Sequence, residues 1–328
     1  MKKLETTYLG LKLKNPIVAA SSGLTGSVDK IKALEQAGAA AVVLKSIFEE
    51  QIQGEVSHLI GKDPQNSYPE AEDYIRNYTR QHSMGEHLNL LRRVKAEVAI
   101  PVIASINCVS AAEWTSIARE FEKAGADALE LNIFYVPTSR NESAAEIEQR
   151  YVDVLRGVKA AVSIPVSVKL GFYFTNIIGM AEKLMANGAQ ALTLFNRFYE
   201  PDINLEKLEL GASEVFSSPA DIRRSLRWVG LVNAALPKLE IAASTGIHDG
   251  DAVIKQLLAG AQVAQVCSVV YINGVQVIDG MLKDLEKFMQ KWNFSSIDDF
   301  RGRLSYAKID DPQLYERAQF MKYFSNKA

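Results

Sequence analysis

Cysteine is almost missing from this chain: among 328 residues only Cys108 and Cys267 carry a thiol. That scarcity excludes a disulfide-stapled scaffold and any iron–sulfur or zinc site built from clustered cysteines. Histidine is nearly as rare, with four residues, and His58, His82 and His87 have no partners at metal-ligand spacing, so no metal site is expected. No run of about 18 apolar residues occurs, which argues against a membrane span. The first ten residues lack the apolar stretch of a secretory leader. Neither sign of charge is in excess, with 37 basic and 39 acidic residues and a net charge of -2. There is thus no electrostatic case for a nucleic acid or an anionic membrane as partner. The expectation is a cytoplasmic protein that acts on a small molecule.

What the chain does have is rhythm. Eight short apolar runs, at 15–21, 40–47, 101–107, 128–133, 165–170, 191–196, 239–245 and 263–269, read as strands buried on both faces. Amphipathic stretches follow them at 28–37, 87–96, 111–124, 144–161, 176–186, 219–236, 251–259 and 275–292. Ala-Gly-Ala or a close variant precedes several strands, at 37–39, 124–126, 188–189 and 259–261, where glycine suits a helix C-cap. Strand and helix alternating eight times predicts an α/β fold, a (β/α)8 TIM barrel spanning residues 1–294. Two segments break the pattern. Residues 48–85 form a polar insertion after strand two, too long for a plain connection and suited to a lid. Residues 295–328 read as a C-terminal extension packed on the barrel.

Barrel chemistry sits at the C-terminal ends of the strands. There the sequence supplies Ser21 and Ser22, Lys45 and Ser46, Asn107, Asn132, Lys169, Asn196, Ser244 to Gly246, and Cys267 with Ser268. A buried lysine needs a partner. Lys45 and Lys169 are placed to balance negative charge on an electron-rich ligand, or to pair with a barrel carboxylate such as Glu130. The turn Ser244-Thr245-Gly246-Ile247-His248-Asp249-Gly250 ends strand seven and opens a helix, and Cys267-Ser268 ends strand eight. Barrels often hold phosphate at these two strand ends. Near them, His248 would contact phosphate, cap the helix or face solvent, and Arg197 would reach an anionic substrate or a cofactor phosphate.

These segments, read in order, resemble the dihydroorotate dehydrogenase family. The resemblance rests on Asn15-Pro16-Ile17-Val18-Ala19-Ala20-Ser21, Leu44-Lys45-Ser46, Glu130-Leu131-Asn132, Val166-Ser167-Val168-Lys169-Leu170, Phe195-Asn196 and the 244–250 turn, and it covers residues 4–280 or so. It implies a barrel that binds FMN. The phosphate would lie at Thr245, Gly246, Cys267 and Ser268, and the ring near Ala20, Ser21, Lys45 with Ser46, Asn107 and Lys169. Asn132, Asn196 and Lys45 would contact substrate. Related enzymes form homodimers, so one is implied here too. With no cysteine cluster for an iron–sulfur centre, the electron acceptor would be a partner chain, fumarate or a nicotinamide.

Several positions depart from the family pattern. Where the family carries its proton-abstracting Cys or Ser, this chain has Tyr135, followed by Val136-Pro137 in place of Pro-Asn. The family's substrate loop is not recognisable within 48–85. Thr245-Gly246 replaces Gly-Gly, and Cys267-Ser268 replaces Gly-Thr. The chain looks most like the dihydroorotate dehydrogenase-like subgroup, which lacks the usual base. A phenol with a pKa of about 10 is a poor base at neutral pH but a competent proton donor. Tyr135 therefore suits reduction of an activated C=C bond, or it packs against the polar loop. Cys108 is either a rival base or a small buried residue. Three activities follow: oxidation of dihydroorotate to orotate in pyrimidine biosynthesis, flavin-dependent reduction of another unsaturated cyclic compound, or flavin binding without turnover.

Overall fold

The computed structural model describes residues 3–48, 69–107, 111–197, 200–212 and 214–316. It opens with an antiparallel hairpin, β1 (Thr6–Tyr8) and β2 (Leu11–Leu13). Then come β3 (Ile17–Ala19), β4 (Ala41–Val43) with its short continuation β5 (Ile47–Phe48), β6 (Val102–Asn107), β7 (Ala128–Asn132), β8 (Val166–Leu170) and β9 (Ala191–Leu194). A second hairpin, β10 (Pro201–Asn204) and β11 (Glu209–Ala212), precedes β12 (Glu240–Ser244) and β13 (Val263–Val266). Helices alternate with the strands: α1 (Val28–Gln36), α2 (Pro69–Glu97), α3 (Ala111–Lys123), α4 (Ala144–Ala161), α5 (Ile177–Ala186), α6 (Ile222–Ala235), α7 (Gly250–Ala259), α8 (Ser268–Asn273) and α9 (Val277–Lys291).

All pairings among β3–β9, β12 and β13 are parallel, and β4 pairs with both β3 and β6, so the sheet closes on itself. This is the (β/α)8 barrel expected from the alternation. Closure explains why the strands read as continuous apolar runs: one face meets helices and the other meets the opposite wall. Two separate apolar clusters result. The larger lies between sheet and helices. The smaller fills the barrel's lower interior with Val18, Ala41, Val43, Ile103, Ala128, Ala191, Ala242 and Val263, and the β1–β2 hairpin plugs it from below with Tyr8, Leu9 and Leu13.

The period-two alternation of strands then dictates what stands above that layer. Two residues on from Ala128 is Glu130, from Ala191 is Thr193, and from Val263 is Gln265; the registers put Ser105 and Ser167 beside Glu130. All five are buried polar groups. One further step up gives Asn107, Asn132, Lys169 and Ser244 at the mouth, again buried.

The structure differs from the sequence reading in four places. The segment 69–85, read as part of a polar loop, belongs to α2, which starts at Pro69; proline at a helix's first position loses no hydrogen bond. Strand eight stops at Val266, and Ser268 begins α8 instead of ending the strand. The β1–β2 and β10–β11 hairpins were not expected. Residues 49–68 and Cys108 lie outside the described residues.

The Ala-Gly-Ala turn at 259–261 shows why glycine recurs there. Gly260 has φ +122°, and a Cβ on it would stand 2.3 Å from Cγ of Asn233. Beyond α9, Ile297 and Phe300 are fully buried. Phe300 stacks on Phe294 at 5.2 Å and meets Phe288 edge-on at 5.3 Å. Gly302 and Leu304 donate their N–H groups to the Leu257 and Leu258 carbonyls, each at 2.9 Å, which ties the extension to the end of α7. Among the described residues no helix is long and apolar enough to cross a membrane.

Candidate active site

A cavity of about 590 Å³ opens at the C-terminal end of the barrel, between the ends of β3, β8, β9, β12 and β13 and the segment 214–217. Ala20, Ser21, Lys169, Asn196, Thr245, Gly246, Cys267 and Ser268 all line it, so one wall gathers residues from five strand ends. Ser46 and Asn132 stand one hydrogen bond behind that wall. The Ser46 hydroxyl lies 3.1 Å from that of Ser21 and 2.6 Å from that of Ser105, and Asn196 Nδ2 donates to Asn132 Oδ1 at 2.9 Å. Asn107 is buried at the end of β6. The side chain of Lys45, in the break between β4 and β5, is exposed and runs beside Gly26.

The base of the cavity is polar. Glu130 Oε2 accepts from Thr193 Oγ1 at 2.8 Å and from Gln265 Nε2 at 2.7 Å. Its other oxygen, Oε1, has no hydrogen bond and lies 3.8 Å from Lys169 Nζ. Gln265 lines the cavity, and its Oε1 is buried without a partner. The sequence reading missed Gln265. The available signal was a polar residue in phase with the inward-facing Val263, within an otherwise apolar strand.

The turn after β12 has two successive residues in the left-handed region, Thr245 at φ 76° and Gly246 at φ 80°. Gly246 is required here: a Cβ would meet the backbone nitrogen of Ile222 at 2.1 Å. The turn therefore packs directly on the start of α6. Thr245 Oγ1 donates to the Phe195 carbonyl at 3.0 Å, which leaves its lone pairs, not its proton, for a ligand. Ser268 Oγ accepts from the Ser217 N–H at 3.0 Å, and the Ser217 hydroxyl lies 3.0 Å from His248 Nε2. Burial pushes the His248 pKa down, against the pull of Asp221 and Asp249. Burial likewise pushes the Cys267 thiol up, opposed by Ser22 and Lys169. Arg197 donates to the carbonyls of Val215 at 3.2 Å and Glu214 at 2.5 Å, and it pairs with Asp221 at 3.5 Å. Its guanidinium thus anchors the segment that walls the cavity.

Tyr135 is not in this wall. It lines a second cavity of about 360 Å³, with Tyr151, Tyr173 and Phe174. Its hydroxyl donates to Glu142 Oε2 at 2.5 Å, Arg150 pairs with the same carboxylate, and the Arg150 guanidinium lies 4.7 Å above the Tyr135 ring.

Comparison with known proteins agrees with this architecture. The sequence profile of the family described as dihydroorotate dehydrogenase matches residues 3–289. The chain belongs to the dihydroorotate dehydrogenase family. It is 29% identical to the catalytic subunit of dihydroorotate dehydrogenase B (NAD(+)) from Thermoplasma volcanium, over 92% of this chain and 98% of that protein. The corresponding catalytic subunit from Methanothermobacter thermautotrophicus is 28% identical over 91% of this chain and 97% of its own length. Dihydroorotate dehydrogenase A (fumarate) from Limosilactobacillus reuteri is 29% identical, over 81% of this chain and 86% of the relative. As a dihydroorotate dehydrogenase-like barrel, the protein is an oxidoreductase of the class that acts on a CH–CH group.

Proposed function

We propose that this protein is an FMN-dependent oxidoreductase whose substrate is a small cyclic carbonyl compound, with dihydroorotate, in pyrimidine biosynthesis, as the first candidate. The observation that carries this is the meeting of Lys169, Asn196, the Thr245–Gly246 turn and Cys267–Ser268 in one cavity.

The cavity suits FMN on three counts. Its volume is in the range of small-molecule sites. Gln265 offers a buried acceptor with no intrachain donor, which matches a ring N–H. Among the described residues the backbone N–H of Gly246 has no intrachain acceptor, and an N–H in a left-handed turn suits an anion. Thr245, Gly246, Cys267 and Ser268 would hold the phosphate. Ala20, Ser21 and Lys169 would flank the ring, with Ser46 and Asn107 behind them. When bound, FMN supplies a ring that takes up or releases hydride.

The chain's own residues do the rest. Lys169 balances charge at the buried end of the cavity. Asn196, held by Asn132, presents its remaining amide groups to a substrate carbonyl or ring N–H, and Lys45, exposed beside Gly26 and outside the cavity wall, would reach substrate only by swinging across the mouth. The protein acts in the cytoplasm as a homodimer, with no nucleic-acid or membrane partner. Its relatives are named for NAD(+) or fumarate as oxidant, and both belong in an assay. The test is to load the protein with FMN and add dihydroorotate without oxygen. Bleaching of the flavin bands supports the proposal. Bound FMN that no dihydroorotate reduces points to another substrate or to flavin binding without turnover.

A second reading has its own observation. By the resemblance to the family, Tyr135 takes the position of the usual base, and its hydroxyl donates to Glu142. A phenol is a competent proton donor, which fits reduction of an unsaturated substrate once Tyr135 leaves Glu142 and turns toward the larger cavity. Tyr135→Phe would then slow the protonation step and leave FMN affinity unchanged; equal single-turnover rates for both proteins remove Tyr135 from the chemistry.

A further inference from the structure

Beneath the cavity, a carboxylate and an ammonium face each other inside the barrel. Glu130 is 1% exposed and Lys169 7% exposed, and their nearest atoms are 3.8 Å apart. That is an ion pair without a hydrogen bond, in a place where leaving either charge unpaired would be costly. The carboxylate is asymmetrically held. Oε2 receives the Thr193 hydroxyl and the Gln265 carboxamide, while Oε1, on the lysine side, receives nothing. A carboxylate accepts, so Gln265 meets Glu130 Oε2 through its Nε2 end, at 2.7 Å. Gln265 Oε1 is thereby turned away from Glu130 and left without a donor in the cavity wall.

We propose that Glu130 is a positioning and charge-tuning residue for the FMN site: acting through Lys169, it lowers the preference of the site for the reduced over the oxidised cofactor. This rests on the FMN reading above and deepens it. Two-electron reduction of a flavin with uptake of one proton adds one negative charge to the ring system. A lone buried lysine beside the ring would favour that added charge strongly. A carboxylate behind the same lysine offsets it, and low local polarity makes both effects larger than in water. Thr193 and Gln265 moderate the carboxylate in turn by donating to it. The arrangement directs Lys169 without letting it overstabilise the reduced form.

The test compares FMN-loaded wild type, Glu130→Gln and Thr193→Val. The flavin potential is read by equilibration with a reference dye during dithionite or enzymatic reduction, and affinity for oxidised FMN by fluorescence. Glu130→Gln removes the offsetting charge and keeps two polar atoms in place. It should favour reduced over oxidised FMN by about tenfold, an upward shift of about 30 mV for a two-electron couple. Thr193→Val removes one donor and keeps the side-chain shape. It leaves the carboxylate charge less dispersed, so the shift should be downward, by about threefold in relative affinity. Opposite signs support the proposal. Shifts of the same sign, or none in either variant, overturn it, since a merely loosened cavity would move both in one direction. If Glu130→Gln does not fold, the downward shift in Thr193→Val decides alone. A wild-type protein that takes up no FMN overturns the cofactor reading itself, an outcome distinct from flavin-loaded variants with unchanged potentials.

Discussion

Tyr135 donates its hydroxyl to Glu142 at the rim of the barrel, 2.5 Å from oxygen to oxygen, and so its side chain is tied to its own loop. Glu142 is held below the usual carboxylate range, first by the Tyr135 hydroxyl and then by Arg150. A carboxylate with a lowered folded pKa contributes stability above its unfolded pKa, and that contribution disappears as pH falls through the folded value. Hydrogen exchange across residues 135–142 should therefore quicken below the ordinary carboxylate range, beyond the intrinsic pH dependence. In Glu142→Gln this extra change should vanish; if it persists, another group holds the loop.

The pair Asn132 and Asn196 should behave as a unit. Asn196→Ala leaves the Asn132 oxygen unpaired beneath the cavity, and Asn132→Ala strands the Asn196 amide. Each change should lower stability to urea by about 0.5–1.5 kcal/mol, the net worth of a typical hydrogen bond, because Asn196 is half-buried at the cavity wall and water reaches it. The double variant should cost less than the sum. Strict additivity would mean that the 2.9 Å contact carries no coupling.

Much of this site was legible because the residues with chemistry sit on buried strands, where polarity is conspicuous. Glu130 and Asn132 interrupt Ala-Leu-x-Leu-x, and Lys169 interrupts Val-Ser-Val-x-Leu. Once the fold is a barrel, period two assigns them to the interior. Gln265 carries the same signal but was passed over, since one uncharged polar residue in Val-Ala-Gln-Val looks ordinary until its neighbours across the barrel are known. Lys45 shows the limit of reading by strand ends: the chain breaks its pairing between Val43 and Ile47, and the lysine side chain turns to solvent. The β10–β11 hairpin escaped for a different reason. All residues of β10 are exposed, so no core selects an alternating pattern there. The polar start of α2 has no apolar stripe strong enough to read as a helix.

Gly246→Ala should be among the most damaging single-methyl additions to the protein. The new Cβ would face the Ile222 nitrogen at 2.1 Å, and backbone cannot swing aside as a side chain does. Overpacking costs about 1–3 kcal/mol and a left-handed residue with a Cβ about 1–2 more. A loss of about 2–5 kcal/mol in denaturant titration is expected, accompanied by weaker FMN uptake from the displaced turn. A stability within about 0.5 kcal/mol of wild type, the usual range for benign substitutions, would contradict the close contact.

Cys267 should be a slow thiol. Its burial raises the pKa, so at neutral pH the reactive thiolate is scarce. In a Cys108→Ser background, modification by a disulfide reagent should run well below the rate of a free cysteine and accelerate toward alkaline pH. Bound FMN should slow it further, because Cys267 lines the same cavity. Rapid labelling that FMN does not affect would separate this residue from the site.

The hairpin that plugs the barrel from below has a consequence for traffic. Tyr8 is buried there with its hydroxyl unpartnered, and burial, reinforced by Glu130, pushes its pKa far up, so the phenol adds no charge of its own beneath Glu130. A small molecule that meets the residues of the cavity wall comes to them from the opposite end of the barrel, where that cavity opens.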